Sequence, residues 1–142
     1  MNHTILLVED NLSDIKLTQR AFQKSNITNT LDVVTNGAEA LEYLLGTIDG
    51  EYQHPLPVVV LLDLKLPKVD GLEVLERIRS EARTELLPVV ILTSSKEQED
   101  IVSSYRLGAN SYIRKPVDFQ QFVESVQQLG LYWMVLNESL FK

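Results

Sequence analysis

The sequence predicts an α/β fold of the (βα)₅ type, in which strands alternate with helices around one five-stranded parallel sheet. Two observations lead to this class. Short apolar runs alternate along the chain with longer segments whose apolar residues recur at helical spacing. One of these runs, residues 58–62, is apolar throughout (VVVLL), which is typical of a parallel strand covered by helices on both faces.

The first two strands are each followed by a helix with a polar cap. Residues 5–8 (ILLV) form the first strand, and residues 12–25 follow as a helix that Asn11 can cap. Residues 31–35 (LDVVT) form the second strand. Asn36 then offers its side chain to the start of the second helix.

A long, turn-rich connection precedes the third unit. Residues 46–57 (GTIDGEYQHPLP) begin at the glycine that should end the second helix, and they lead into the strand at residues 58–62. Asp70, with Glu73 three residues later, resembles a capping box and opens the third helix.

The last two units complete the pattern. Residues 89–93 (VVILT) form the fourth strand, and Ser95 with Gln98 resembles another capping box. Residues 111–114 form a short fifth strand, and the last helix opens at Asp118.

Right-handed crossovers leave few topologies for such a chain, and the common order for five strands is 2-1-3-4-5. We therefore expect a doubly wound sheet of the flavodoxin-like or CheY-like kind. Residues 1–130 should form one domain, followed by an apolar extension at residues 131–142 without a separate output domain.

Composition excludes several classes of protein. The net charge of the 142 residues is −7 and no run of Lys or Arg occurs, so a nucleic-acid-binding surface is not expected. The absence of Cys excludes disulfides and thiolate chemistry. The N-terminus lacks a signal-peptide pattern, and no apolar stretch approaches the roughly 20 residues that span a bilayer. We expect a cytoplasmic protein that does not bind membranes.

Acidic residues end two strands that are adjacent in this strand order. The first strand runs into Glu9 and Asp10, and the third ends at Asp63. Ligands of open α/β sheets bind at the carboxyl ends of the strands where the winding reverses, which is between these two strands. Three clustered carboxylates require a shared proton or a cation, and their hard oxygen atoms suit Mg²⁺. Alternatively, Glu9 and Asp10 are ordinary loop residues or helix caps, and Asp63 only opens a loop.

The fourth and fifth strands contribute a hydroxyl group and an ammonium group. Thr93 ends the fourth strand, and Lys115-Pro116 follows the fifth. Facing the carboxylates, these groups could hold an anion placed on Asp63. The alternatives are a strand-end hydroxyl for Thr93, a solvated amine for Lys115 and a simple turn at Pro116.

Together these residues resemble the receiver domain of two-component response regulators. The resemblance covers about residues 4–129 and includes the motifs LPKVDG at 66–71 and YIRKP at 112–116. It implies that Asp63 accepts a phosphoryl group from a sensor histidine kinase or a small phosphodonor. It also implies that Mg²⁺ or Mn²⁺ binds to Glu9, Asp10, Asp63 and the main-chain carbonyl of Lys65.

The resemblance assigns further roles near the site. Thr93 would bond to the phosphoryl oxygen, Lys115 would pair with it, and the Lys115-Pro116 bond would be cis. Tyr112 would be the aromatic switch, although a half-buried strand tyrosine with its hydroxyl in water would fit the sequence equally. Lys65 and Ser95 occupy positions at which the family tunes phosphoryl lifetime, and we expect slow hydrolysis.

Within the family, the long connection at 46–57 and the tail GLYWMVLNE look most like the stand-alone regulators paired with bacterial and cyanobacterial phytochromes. Output would then occur through binding to a kinase, a phosphotransfer protein or a downstream target. The apolar extension either packs on the domain itself or forms a homodimer or partner surface.

Two other classes share parts of this pattern. A haloacid dehalogenase-type phosphohydrolase also uses a strand-end Asp and Mg²⁺, but it typically carries a second acid where this chain has Lys65. A flavodoxin-like electron carrier needs a phosphate-binding loop after the first strand, whereas EDNLSD is acidic and has no glycine. A receiver fold that is never phosphorylated is a third alternative.

Overall fold

Five parallel strands form the central sheet of the protein. A computed structural model describes residues 4–24, 29–95, 97–115, 120–121, 123–124 and 128. Its strands are β1 Ile5–Val8, β2 Leu31–Val34, β3 Thr47–Ile48, β4 Glu51–Tyr52, β5 Val59–Leu62, β6 Val89–Thr93 and β7 Ser111–Arg114. Its helices are α1 Leu12–Lys24, α2 Gly37–Leu45, α3 Gly71–Ser80 and α4 Gln98–Arg106, and residues 120–121, 123–124 and 128 are also helical.

The sheet order is β2-β1-β5-β6-β7, and each adjacent pair is parallel. Counted along the sheet's own five strands, this is the predicted order 2-1-3-4-5. The register aligns Val8 of β1 with Leu62 of β5. The residues that follow these two, Glu9 and Asp63, therefore leave the sheet side by side at its carboxyl edge.

Both faces of the sheet are covered by apolar side chains. All four residues of β5 are at most 3% exposed, which confirms the expectation of a strand buried on both sides. Along β1, Leu6 and Val8 join the core beneath α2 and α3, while Ile5 and Leu7 join the core beneath α1. The alternation of side chains along a strand divides the core into these two layers.

The polar caps predicted for three helices are present. Asn11 accepts a hydrogen bond from the backbone N–H of Asp14 at 3.1 Å, and Asn36 accepts one from Glu39 at 2.8 Å. Asp70 accepts one from Leu72 at 3.1 Å. These bonds satisfy backbone donors that a helix N-terminus leaves free, so they fix where each helix begins.

The predicted capping box at the fourth helix is wrong. The helix begins at Gln98 with Glu97 as its N-cap residue and without a side-chain cap hydrogen bond. The hydroxyl of Ser95 instead donates to Oδ2 of Asp100 at 2.5 Å and accepts the backbone N–H of Glu97 at 3.3 Å. Ser95 thus lies outside the helix and ties the β6–α4 loop to the first turn of α4. For the last helix, Asp118 lies outside the described residues.

The long connection before β5 contains a small hairpin that the sequence analysis did not predict. Strands β3 and β4 pair antiparallel around Asp49 and Gly50, both of which have positive φ values, 52° and 81°. Two such residues are typical of a type I′ turn, for which Asp-Gly is a favoured pair. Arg83 stacks over the ring of Tyr52 at 3.5 Å and holds the hairpin against the domain.

None of the helices within the described part of the chain is long and apolar enough to cross a membrane. The predicted apolar extension at residues 131–142 lies outside the described residues.

Candidate functional site

Three carboxylates meet at the carboxyl edge of the sheet. Glu9, Asp10 and Asp63 each offer one oxygen atom, and these atoms all lie within 4.8 Å of one another. Glu9 is 1% exposed and Asp63 is 8% exposed, whereas Asp10 is exposed. The proximity predicted from strand order is therefore present in the structure.

Donor chemistry at this cluster fits a hard divalent cation. All three side chains offer carboxylate oxygens, and the exposed Asp10 leaves one side of the group open to water. Mg²⁺ and Mn²⁺ favour such oxygen ligands, and Mg²⁺ usually retains several waters. The backbone N–H of Lys65 lies 3.5 Å from Oδ1 of Asp63. A role for the Lys65 carbonyl as a ligand stays a prediction.

Lys115 is the buried cation beside these acids. Its Nζ atom lies 2.6 Å from Oε1 of Glu9, 2.8 Å from Oδ2 of Asp14 and 3.8 Å from Oδ2 of Asp63. Its side chain is only 7% exposed. The alternative in which Lys115 is a solvated surface amine is therefore wrong, and its carboxylate partners supply the compensation that a buried ammonium group requires.

The pKa values of the site reflect this crowding of charge. Burial, together with the charge of Asp63, raises the pKa of Glu9 from 4.5 to about 7, although the hydrogen bond with Lys115 lowers it. Burial disfavours charged Lys115, but hydrogen bonds with Asp14 and Glu9 and the charge of Asp63 outweigh this, so the pKa of Lys115 is raised. Without a divalent cation, the carboxylate cluster thus tends to retain a proton, as expected for acids packed together.

Sequence reasoning did not identify Asp14 as a member of this site. Asp14 lies in the first turn of α1, and its carboxylate contacts Lys115 across the crevice. A signal was available, because a helix that directly follows β1 must begin at the carboxyl edge of the sheet. An acidic residue in its first turn therefore lies near the residues that end the strands.

Thr93 ends β6 with its side chain fully buried. The backbone N–H of Ser95 lies 3.5 Å from Oγ1 of Thr93, which is a long contact. Because β6 neighbours β5 in the sheet, Thr93 stands one strand away from Asp63. The backbone N–H of Lys115 bonds to the Thr93 carbonyl at 2.6 Å and brings the end of β7 beside it.

Tyr112 is half-buried on β7, and its hydroxyl donates to the main-chain carbonyl of Ser95 at 3.1 Å. Burial raises the pKa of this phenol. The half-buried position agrees with the alternative of a strand tyrosine, but the hydroxyl has a protein partner. The Tyr112 side chain thus connects β7 to the loop that follows Thr93. Its role as a switch stays a prediction.

Lys65 and Ser95 are joined through Asp100. The ammonium of Lys65 is exposed and lies 3.9 Å from Oδ2 of Asp100, the same atom that accepts the Ser95 hydroxyl. Asp100 was not predicted as a site residue. Pro116 lies outside the described residues, so its peptide bond is not described.

Gly71 is a further position that the site requires. A Cβ atom on Gly71 would collide with the carbonyl oxygen of Asp63 and approach Cα of Leu64 at 2.6 Å. The backbone N–H of Gly71 donates to the Leu64 carbonyl at 2.9 Å. The glycine thus lets α3 begin directly against the backbone that carries Asp63.

Comparison with known proteins identifies relatives over most of the chain. The family profile described as "Response regulator receiver domain" matches residues 5–127. The chain is 41% identical over 135 residues to the "Probable methanogenesis regulatory protein FilR2" of Methanothrix harundinacea, covering 95% of this chain and 86% of that protein. It is 37% identical over 131 residues to "Response regulator Rcp1" of Synechocystis, covering 92% and 88%.

Solved structures give the same result. The phosphorylated cyanobacterial phytochrome response regulator RcpA superimposes with a TM-score of 0.87 and 38% identity, covering 99% of both chains. The Mn²⁺-bound form of Rcp1 gives 0.84 and 36%, covering 96% of this chain and 98% of that chain. The bacteriophytochrome response regulator RtBRR gives 0.78 and 50%, covering 98% and 84%. These similarities favour the receiver fold over both the phosphohydrolase and the electron-carrier alternatives.

Proposed function

The chain belongs to the response regulator receiver domain family, and we propose that it is a molecular switch that accepts a phosphoryl group on Asp63 in a Mg²⁺-dependent reaction. One observation carries the proposal. The oxygens of Glu9, Asp10 and Asp63 lie within 4.8 Å of one another, with the Lys115 ammonium 3.8 Å from Asp63. A nucleophilic carboxylate, a cation-binding cluster and a fixed positive charge are the groups that this reaction needs.

In the proposed reaction, a carboxylate oxygen of Asp63 attacks the phosphorus atom of a phosphohistidine or an acyl phosphate. The new O–P bond forms as the bond to the donor breaks, and the donor leaves with that electron pair. Lys115 stabilises the negative charge that spreads over the phosphoryl oxygens, and Thr93 can donate its hydroxyl to one of them.

Glu9, Asp10, Asp63 and the main-chain carbonyl of Lys65 would hold the divalent cation. When bound, Mg²⁺ or Mn²⁺ neutralises charge between the carboxylates and the incoming phosphoryl group. The Mn²⁺-bound form of the relative Rcp1 supports the binding of a divalent cation by this chain.

The signal would pass from Asp63 to the β6–α4 loop. A phosphoryl group adds acceptor oxygens, and a hydrogen bond from Thr93 to one of them would draw the loop toward Asp63. Tyr112 is bonded to this loop through the Ser95 carbonyl, so a shift of the loop would change the environment of its ring. The altered surface would then bind a different partner.

We infer that the phosphodonor is a sensor histidine kinase of the phytochrome type, because RcpA and RtBRR are described as phytochrome response regulators. The protein would act as a phosphoacceptor that catalyses only its own phosphorylation and dephosphorylation. A phosphotransfer protein or a downstream protein is the expected target of the switch.

Residues 131–142 are proposed as a homodimer surface. A variant without these residues that kept the wild-type mass in solution would exclude that role.

Intact mass spectrometry after incubation with acetyl phosphate and MgCl₂ tests the central proposal. The wild type should gain the mass of one phosphoryl group, and Asp63→Asn and a sample with excess EDTA should gain none. Glu76→Gln, which alters an exposed acid on α3, is the matched control and should behave as the wild type. Labelling that persists in Asp63→Asn would overturn the assignment of Asp63.

A further inference from the structure

We propose that Asp14 is a positioning residue of this site, which holds the Lys115 ammonium in the resting protein and opposes the phosphoryl group on Asp63. This inference rests on the proposed function, because it concerns the affinity of the same site for a phosphoryl group. Asp14 belongs to none of the strand-end motifs from which the site was predicted.

The contacts of Lys115 show how the ammonium is shared. An ammonium group has three N–H donors. Two of them are directed to carboxylates at hydrogen-bond distance, 2.6 Å for Glu9 and 2.8 Å for Asp14. Asp63 lies at 3.8 Å, which is an ion-pair distance but too long for a hydrogen bond. In the resting state, Lys115 is therefore held more closely by Asp14 than by the proposed phosphoryl acceptor.

The excess of negative charge around Lys115 also supports this role for Asp14. Three carboxylates, those of Glu9, Asp14 and Asp63, lie 2.6–3.8 Å from the Lys115 ammonium. A fourth, that of Asp10, lies beside Glu9 and Asp63. The three carboxylates that can share a cation do not include Asp14. Its negative charge is thus not required for that cluster, yet it lies next to the place where an aspartyl phosphate would add negative charge.

A purely structural role for Asp14 predicts a different result. An acid in the first turn of a helix interacts favourably with the helix dipole, so neutralising it should slightly destabilise α1. The cap of α1 would survive, because Asn11 accepts the backbone N–H of Asp14 and not its side chain. Loss of a dipole interaction would not tighten the binding of an anion at Asp63. Anion affinity therefore separates the two roles.

Binding of beryllium trifluoride, an anion that mimics a phosphoryl group on a carboxylate, tests the inference. Its affinity would be measured by calorimetry at saturating Mg²⁺ for the wild type, Asp14→Asn, Asp14→Glu and Glu76→Gln. We expect Asp14→Asn to bind about three- to tenfold more tightly, as fits removal of one partly exposed charge. Asp14→Glu should return toward the wild-type affinity. Glu76→Gln makes the same change of net charge at an exposed position on α3 and should leave the affinity unchanged.

Thermal unfolding of each variant verifies that it is folded, and Asp14→Ser provides a second neutral variant. Equal affinity in Asp14→Asn and Glu76→Gln would overturn the inference, and so would weaker binding in both neutral variants at position 14. If the folded wild type bound no beryllium trifluoride, the proposed function itself would fail. If the wild type bound it and Asp14→Asn did not differ, only the role of Asp14 would fail.

Discussion

The Nζ atom of Lys115 lies 2.6 Å from Oε1 of Glu9, and both side chains are almost completely buried. The pair joins the end of β7 to the end of β1 across the carboxyl edge of the sheet. A buried ion pair is strongly destabilised by removal of one partner, because the other charge then lacks compensation. The same contact therefore affects both the stability of the fold and the charge of the proposed phosphoryl site.

Replacing Lys115 with Met should destabilise the metal-free protein by about 3–5 kcal/mol, the range for breaking a buried pair. Lys115→Arg keeps the charge and should lose less. Urea denaturation in EDTA measures the free energy of unfolding of each variant. Added Mg²⁺ should recover part of the loss in Lys115→Met, since a divalent cation compensates the carboxylates. Wild-type stability of Lys115→Met in EDTA would contradict the importance of this pair.

The raised pKa of Glu9 predicts that the metal-free protein becomes less stable as the pH rises. The folded protein holds the Glu9 proton up to about pH 7, whereas the ordinary value is 4.5. The stabilisation from this proton is complete below pH 4.5 and is lost as the pH rises through 7. The shift corresponds to about 3 kcal/mol.

Chemical denaturation at pH 5 and pH 8 in EDTA checks this prediction. Glu9→Gln cannot ionise at this position, so its stability should fall less between the two pH values than that of the wild type. Comparison of the two proteins cancels the contribution of the titrating groups that do not interact with Glu9. An equal fall in both proteins would show that Glu9 does not titrate in this window.

The central sheet and the meeting of Glu9, Asp10 and Asp63 could be predicted because both depend on regular features of the chain. Apolar periodicity locates the strands, and the handedness of the crossovers places the end of the first strand beside the end of the third. The strands differ only slightly from the predicted ranges 31–35 and 58–62, because β2 ends at Val34 and β5 begins at Val59.

Asp14, Asp100 and the β3–β4 hairpin were not predicted, because they depend on features that periodicity does not report. The direction of a side chain in a first helical turn depends on how that helix packs on the sheet. For α1, the buried residues Ile15 and Thr18 set that packing. Strands of two residues are too short to show alternation, although Asp49-Gly50 is a recognisable turn signal.

Gly71→Ala should perturb the site as well as the fold. The added Cβ would collide with the Asp63 carbonyl, so either α3 or the strand end must shift. We expect a loss of about 1–3 kcal/mol in stability, as for overpacking, together with weaker Mg²⁺ binding. Gly50→Ala is the matched control: Gly50 has a φ of +81° but open space around it, so its substitution should lower stability without changing Mg²⁺ affinity. Unchanged Mg²⁺ affinity in Gly71→Ala would show that the site tolerates movement of this backbone.

The link from Lys65 through Asp100 to Ser95 predicts how phosphoryl lifetime is set. Asp100 lies in the first turn of α4, and its Oδ2 atom is 3.9 Å from the Nζ atom of Lys65. In Asp100→Asn this ammonium is released and can reach the phosphoryl group or hinder the attacking water. We therefore expect hydrolysis of the aspartyl phosphate to slow by about two- to fivefold, the scale of a weak exposed ion pair. The aspartyl phosphate of Lys65→Ala should hydrolyse faster than that of the wild type. In the wild type, the phosphoryl group should last longer than seconds.

A double-mutant cycle identifies the route of this effect, because Asp100 also accepts the Ser95 hydroxyl. Loss of the phosphoryl mass after removal of acetyl phosphate would be followed for Lys65→Ala, Asp100→Asn and the double variant. If Lys65 carries the effect, Asp100→Asn should change nothing further in the Lys65→Ala background. Ser95→Ala removes the hydroxyl that donates to the Asp100 carboxylate while leaving the ion pair, and should keep a lifetime close to that of the wild type. A different result would contradict this route. If Asp100→Asn still slowed hydrolysis in the Lys65→Ala background, and Ser95→Ala slowed it as well, the β6–α4 loop would control the phosphoryl lifetime.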